Sequence, residues 1–417
     1  MRTLTKIKLC RGCGSKKLKL FFKLGDQPLA NSLLKSVKEE EDFYPLSLIW
    51  CADCNLVQLQ ETVDPKILFS TYVWVTGTSK TANEFSEKFC EELISKTSDL
   101  KKGYILELAS NDGTFLKPFQ KRGYEVLGID PAKNIVEMAN ETGVPTRRDF
   151  WGTKAAKKLI KEKGKAKIIF ARNVLAHVAD TRDFILGIGE ALEENGVVAI
   201  EAHYAKKILE ELQYDSIYHE HLCYFTLKSM EKLLNDCGLF VFDVLLGPIS
   251  GGALIVYARK YKTKESKELI KWRSEEKSLK TNESFSWEDF RERVFAHRDK
   301  LLEILGKAKK SGNVIAWGAS ARSSTLLNFC GIDSKIVSSI IDLNPLKQGK
   351  FTAGTHIKIV KPEEAFKKKP SLVFVTGWNF AEEIINLLRN KYNYKGQCLV
   401  PLPSKLRVIT NNANDSK

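Results

Sequence analysis

The 417-residue chain lacks the features that would send it to or across a membrane. No run approaches the ~20 consecutive apolar residues that a bilayer-spanning helix needs. The opening MRTLTKIKLCRGCGSKK is basic, but it has neither the apolar core nor the small-residue cleavage site of a secretory signal. These absences predict a cytoplasmic protein with no membrane partner. Also missing is an arginine-rich stripe interleaved with aromatics, so a nucleic-acid partner has weak support. What remains is globular composition, 43% apolar and 28% charged. The length is several times the roughly 100–150 residues of a common domain and predicts two or three cores. A formal net charge of +15 favours an anionic partner, such as a phosphorylated metabolite.

The nine cysteines are unevenly used. Cys10 and Cys13 form CRGC, Cys51 and Cys54 form CADC, and the others lie singly. Two CxxC pairs offer four thiolates for a tetrahedral zinc, each pair reaching the metal from a tight turn, with Gly12 and Gly14 around the first. Neither pair precedes a thioredoxin-like strand and helix, which disfavours the redox alternative. Four thiolates also close the coordination shell, so the zinc is structural and leaves no position for a catalytic water. Cys90, Cys237, Cys330 and Cys398 read as core cysteines.

Phe85, Phe89 and Leu93 recur at helical spacing, and the apolar run YILELA follows as a buried parallel strand. That strand breaks into SNDGTFL, and the next, EVLGID, ends in Asp130. A strand ending in an acid, then a turn of small residues and a helix start, is the ligand crevice of a doubly wound sheet. An acid at the tip of the second strand suits ribose hydroxyls. The GxGxxG of a dinucleotide fold is absent: Ala109 and Asn111 stand where glycine would be wanted for close pyrophosphate approach. S-adenosylmethionine has no pyrophosphate, and its cationic sulfonium suits an acid-containing turn holding Glu107 and Asp112. KIIFARNVLAHVAD and GVVAIEAHY supply further strands, and LFVFDVLLGPISGGALIVYARK a closing hairpin. The ordered set predicts an α/β, class I methyltransferase sheet of Rossmann-like type.

SIYHEHLCYFT places His219, Glu220 and His221 between aromatics. As a strand, it would turn both histidines to one side and the glutamate to the other, which suits a metal pair or a half-buried core strand. A histidine with a reference pKa of about 6.5 also suits a base for an acidic carbon. The three readings stay open on these residues alone. His203, after Glu201 at the end of the fifth strand, falls near the same crevice by topology.

A charged stretch from about 262 to 310 predicts a long helix or helix pair. NVIAWGASARSSTLLN then gives a strand, a small-residue turn and a helix whose first amides can receive phosphate, with Ser320 at the turn and Arg322 as anion partner. SSIIDLNPLKQGK is the matching second strand, ending in Asp342, and TNNANDSK reads as a disordered tail.

Taken together, CRGC, CADC, LGDQPLANSLL, LFSTYVWVTGTS, LELASNDGTFL, GIDPA, NVLAHV, YHEHLCYFT, WGASARSSTLLN and WNFAEEI resemble the sugar C-methyltransferases. These enzymes act on nucleotide-linked 4-keto deoxysugars. The resemblance implies a zinc-binding domain over 1–62, an S-adenosylmethionine-binding domain over 63–261 and a Rossmann-like sugar-nucleotide domain over 262–417. It implies His221 as the base and Glu220 as its neighbour, with Tyr218, Tyr72 and His177 lining the sugar or enolate oxygen, and it adds Asn173 to the cofactor residues. The methylated carbon would most readily be C3. Two departures stand out: Ala109 where many members have glycine, and one tyrosine fewer after Tyr72. Two competing readings are a zinc-containing RNA methyltransferase, whose binding would weaken steeply with salt, and a non-catalytic nucleic-acid or protein-binding module that has kept the fold.

Overall fold

The computed structural model describes residues 4–69, 75–97, 103–248 and 251–410. The chain clusters into two compact units, each assembled from three segments. The first comprises Met1–Lys19, Ile49–Lys206 and Leu222–Ser284, and the second Leu20–Leu48, Lys207–His221 and Phe285–Lys417. The three-part division expected from the sequence follows chain order, whereas these units interleave. Strands Leu18–Pro28 and Phe43–Cys51 carry residues of both units.

In the first unit a helix, α1 (Lys80–Ser95), precedes the central sheet. Its strands are β1 (Tyr104–Leu108), β2 (Glu125–Asp130), β3 (Thr146–Arg148), β4 (Ala166–Arg172), β5 (Leu192–His203), β6 (Phe240–Gly247) and β7 (Ala253–Arg259). The order is β6-β7-β5-β4-β1-β2-β3. β1 to β5 run parallel, and β7 lies antiparallel to both β5 and β6. This is the class I methyltransferase sheet, with the expected hairpin closing its edge. The strand order reverses between β1 and β4, so their carboxyl ends open the crevice in which such sheets bind ligands.

The central strands are apolar on both faces because both faces are covered. Ser79 caps α1 by accepting from the Ala82 N–H, and the helix buries Phe85, Phe89 and Leu93 as its spacing predicts. Phe89 meets Phe115 and Phe170 edge-on at 5.7 and 5.4 Å, and Phe119 stacks on Phe170 at 5.8 Å. That aromatic cluster fixes the floor under the β1 turn.

The second unit contains the long helix Ser284–Ser311 of the expected connector, preceded in the first unit by Lys267–Ser278. A six-stranded sheet follows: β8 (Val314–Trp317), β9 (Ile340–Ile341), β10 (Ile359–Val360), β11 (Leu372–Phe374), β12 (Gln397–Val400) and β13 (Arg407–Ile409), in the order β10-β9-β8-β11-β12-β13. All its pairings are parallel except β12 with β13, so the second Rossmann-like sheet is present. Its three segments meet in one aromatic core. Phe22 packs on Phe290, Phe295 and Phe329 at 6.3, 5.7 and 5.8 Å, Phe21 on Trp287 at 6.1 Å, and Tyr214 on Phe329 at 5.4 Å. Of the expected disordered tail, residues 411–417 lie outside the described residues.

Gly113, in the turn after β1, has φ +76°, and a Cβ there would sit 2.6 Å from Val144 Cγ1. Backbone strain and overpacking act together, so we expect Gly113→Ala to lower stability by about 3 kcal/mol. Urea unfolding of the full chain measures this, and an unchanged midpoint would show that the turn can relax.

Candidate active site and metal centre

The four sulfurs of Cys10, Cys13, Cys51 and Cys54 lie within 4.8 Å of one another. They are brought there by two matching turns. Gly14 N–H donates to the Cys10 carbonyl and Asn55 N–H to the Cys51 carbonyl, both at 2.9 Å. Gly14 and Asn55 each adopt a left-handed backbone, φ 74° and 61°. Glycine takes that conformation without cost, and asparagine is among the residues that best tolerate it. A zinc at ~2.3 Å from each sulfur would hold them about 3.8 Å apart. The Cys10–Cys54 and Cys13–Cys51 separations are 3.5 and 3.6 Å. Thiols that close are better read as edges of a metal tetrahedron than as hydrogen bonds. Gln58 Nε2 donates to Cys10 Sγ at 3.1 Å and supplies an outer contact. Among the described residues, no other group of three or more Cys, His, Asp or Glu side chains gathers ligand atoms in this way.

The cofactor residues expected from the sequence converge at the carboxyl edge of the first sheet. Glu107 is the penultimate, buried residue of β1, and Ala109 and Asn111 both have positive φ, 54° and 50°, so the turn takes up left-handed backbone without glycine there. Asp130 accepts from the Asn111 N–H at 3.0 Å with one oxygen and from the Ala132 N–H at 2.9 Å with the other. It therefore ties the first two strand ends together. Burial raises its pKa, and the two amides lower it. The Asn111 and Asp112 side chains accept from the Thr76 and Gly77 amides at 2.8 and 3.0 Å, binding the entrance of α1 over the turn.

Sequence reasoning passed over one cation at this edge. Arg172 closes β4, donates to Glu201 Oε2 at 2.6 Å, and lies over the Phe115 ring at 3.2 Å. Glu201 also accepts from Asn173 Nδ2 at 3.0 Å, and Asn173 has φ 51°. The Arg172–Glu201 pair is buried on both sides. Glu107 is pushed well above the usual carboxyl range by burial first, with Asp112, Asp130 and Glu201 adding to the rise and Arg172 opposing it. Its Oε2 is buried with no hydrogen-bond partner among the described residues. A charged residue closing the apolar run KIIFAR was the same signal that singled out Glu107 and Asp130.

His203 ends β5 opposite Ala253, buried, and His177 closes the turn Leu175–His177 edge-on to Phe69 at 5.6 Å. Both belong to the first unit. Tyr72 lies outside the described residues.

The SIYHEH segment lies in the second unit and is not a strand there. A single 3₁₀ turn, Tyr214–Ser216, leads into bends, so the two histidines do not share a strand face. His219 is buried, with Nε2 at 3.2 Å from both the Tyr44 and Pro45 carbonyls, and burial lowers its pKa. It is a core histidine. His221 differs. Its Nδ1 is 2.8 Å from the Ser216 carbonyl, which has no proton to give, so Nδ1 carries the hydrogen. Nε2 is then the basic nitrogen, and the Tyr218 hydroxyl donates to it at 2.9 Å.

Glu220, the expected neighbour of His221, does not set that tautomer. It accepts from Asn31 Nδ2 at 2.6 Å, and burial pushes its pKa up to about 7 against a small lowering by Asn31. Asn31 is far away in sequence and carried no signal.

Arg322 is not available as an anion partner. It forks onto the buried Asp215, Nε to Oδ2 at 3.0 Å and Nη2 to Oδ1 at 2.8 Å. Ser320 caps the helix Ala321–Cys330, here α2, in a reciprocal box with Ser323, so its hydroxyl and N–H are both engaged. The Ala319 N–H goes to Asp342 at 3.1 Å, as does Lys347 at 3.0 Å. Asp342 thus takes the Ala319 amide of the turn and the Lys347 ammonium.

Family models match in three consecutive stretches: "Putative zinc binding domain" over residues 10–69, "Methyltransferase domain" over 82–243 and "C-methyltransferase C-terminal domain" over 248–403. The chain is 29% identical to C-methyltransferase NovU of Streptomyces niveus over 406 residues, 96% of each protein. The chain is an S-adenosylmethionine-dependent C-methyltransferase. A shorter likeness, 26% over 116 residues, covers 27% of this C-methyltransferase and 48% of the ubiquinone biosynthesis O-methyltransferase of Pelagibacter ubique (strain HTCC1062). Among solved structures, magnesium protoporphyrin IX methyltransferase from Synechocystis PCC 6803 aligns at 13% identity with a TM-score of 0.34, over 43% of this chain and 80% of that one. At that score it adds nothing to the sheet order. The cofactors of the C-methyltransferase are S-adenosylmethionine, for which the acidic strand ends and the glycine-poor turn fit, and zinc, for which the four thiols fit.

Because structural zinc sites contribute folding energy directly, we expect chelation at neutral pH to release one zinc per chain and to lower the melting temperature. Metal analysis with thermal unfolding checks both, and unchanged melting after zinc loss would remove the structural role.

Glu220 has its folded pKa raised above the ordinary 4.5. The stability it contributes is complete below the unfolded pKa and is lost as pH rises through about 7. We expect Glu220→Gln to gain stability over wild type between pH 5 and pH 8, on the order of 3 kcal/mol. Urea titrations at the two pH values measure this, and an equal difference at both would show an ordinary carboxyl.

Proposed function

We propose that the enzyme methylates C3 of a nucleotide-activated 4-keto deoxysugar through an enolate. The observation that carries this reading is the Tyr218–His221 pair, in which Ser216 spends the Nδ1 proton and leaves Nε2 as the base. Methylation at carbon, unlike oxygen or nitrogen, requires a carbanion. A carbon beside a ketone supplies one once a base takes its proton and the oxygen's growing charge is stabilised. His221 Nε2 takes the C3 proton. The Tyr218 hydroxyl turns from the nitrogen to the enolate oxygen, and Glu220, near neutral pH part-protonated, is a second group able to hold or release a proton. His177 and His203 line the sugar. Glu107, Ala109, Asn111, Asp112, Asp130 and Asn173 hold S-adenosylmethionine, which supplies an electrophilic methyl on its sulfonium. The nucleotide sugar is the anion that the +15 charge favours, and nine unbridged cysteines support a reducing, cytoplasmic setting. The motif resemblance to sugar C-methyltransferases supports the substrate class.

Mass spectrometry of dTDP-, GDP- and CDP-linked 4-keto-6-deoxysugars incubated with enzyme and S-adenosylmethionine tests the reading. We expect one sugar to gain a single methyl. With S-adenosylhomocysteine in deuterated water, the C3 hydrogen should exchange without turnover. We expect His221→Ala to bind S-adenosylmethionine normally while losing methylation and exchange by at least about 100-fold. Methylation of RNA and of no sugar would overturn the substrate class.

A further inference from the structure

We propose that Arg322 and Trp378 are positioning residues for the base, acting through Asp215 to hold the carbonyl that fixes the His221 tautomer. The inference rests on the reading of His221 as the base. Asp215 is a buried carboxylate that receives three donors: both arms of the Arg322 guanidinium and the Trp378 indole N–H at 2.6 Å. The Arg322 guanidinium lies over the Trp378 ring at 4.6 Å, and its Nη2 also reaches Gln213 Oε1 at 3.1 Å. A planar cation between a fork acceptor and an aromatic face has little freedom.

The consequence lies one residue further on. The Ser216 carbonyl belongs to the peptide linking Ser216 to Ile217, and α2 pins both sides of it. Arg322 holds Asp215 before it, and Thr325 Oγ1 donates to the Ile217 carbonyl at 3.1 Å after it. Ser216 itself is turned back by its Oγ donating to the Gln213 carbonyl at 2.6 Å. The peptide plane is therefore fixed, and with it the direction of the oxygen that accepts from His221 Nδ1. If the plane rotates, nothing keeps the hydrogen on Nδ1. Part of the population then carries it on Nε2, where it blocks proton removal from the substrate. The second sheet acts on this view as the frame for the base, a role for which its Arg322 is spent and its Ser320 closed.

Trp378→Phe keeps the ring under the guanidinium but removes the N–H, and Arg322→Lys keeps the charge but removes the fork. The full-length, zinc-loaded enzyme, labelled with 15N-histidine, reports the tautomer at a pH above the imidazole titration, with His221→Gln identifying the resonances. We expect wild type to show Nδ1–H. Each variant should show a mixture, with kcat and C3 deuterium exchange reduced at least ten-fold and KM for S-adenosylmethionine unchanged. Variants that fold with wild-type tautomer and turnover would overturn the proposal, and Trp378→Phe decides alone if Arg322→Lys does not fold. An inactive His221→Ala beside normal Trp378→Phe and Arg322→Lys would leave the base standing and remove the positioning role. A fully active His221→Ala would remove the base itself.

Discussion

A backbone carbonyl can only accept, and the second unit depends on that asymmetry at Ser216. The bond from His221 Nδ1 decides which imidazole nitrogen is basic, and no side-chain substitution at residue 216 deletes its acceptor. Its direction comes from the hydrogen bonds that hold Asp215, Ser216 and Ile217 and from the packing around them. The turn that presents it is anchored by Tyr214 in an aromatic core drawn from three separated segments. On the proposed role of His221 as base, a backbone group controls the catalytic tautomer, so anything that loosens the core would loosen the base.

The first unit solves the opposite electrostatic problem. Glu107, Asp112, Asp130 and Glu201 gather at one sheet edge in a chain whose formal net charge is +15, so global charge says nothing of the local field. Burial first, and then Asp112, Asp130 and Glu201, raise the pKa of Glu107, and one cation, Arg172, opposes the rise. Its guanidinium is stacked on Phe115 rather than hydrated, which keeps the offset close and fixed. A crevice with that balance favours a sulfonium over a pyrophosphate.

Much of this was legible because it obeys local rules. Strand ends marked by a charge after an apolar run located β1 and β2, CxxC spacing located the thiols, and aromatic periodicity located the helix before the sheet. The errors share a cause. Arg322 reads as a free cation beside a small-residue turn, and only the long-range return of Asp215 takes it. Glu220 reads as the partner of His221 by adjacency, but adjacent side chains need not meet outside regular structure, and its partner is Asn31. The acceptor that matters for His221 is a main-chain oxygen, which no residue type announces. Local pattern reports the type of an element, while partnership between distant segments is set by packing that no single window contains.

The interleaving of the two units also shapes how the chain is made. Phe21 and Phe22 emerge from the ribosome early, and their ring partners Trp287, Phe290 and Phe329 follow more than 260 residues later. At the roughly 5–20 residues per second of synthesis, those rings wait on the order of tens of seconds before their core exists. The apolar surface they present meanwhile has to be kept from other nascent chains. The core of the second unit can therefore close only after its last segment has been made.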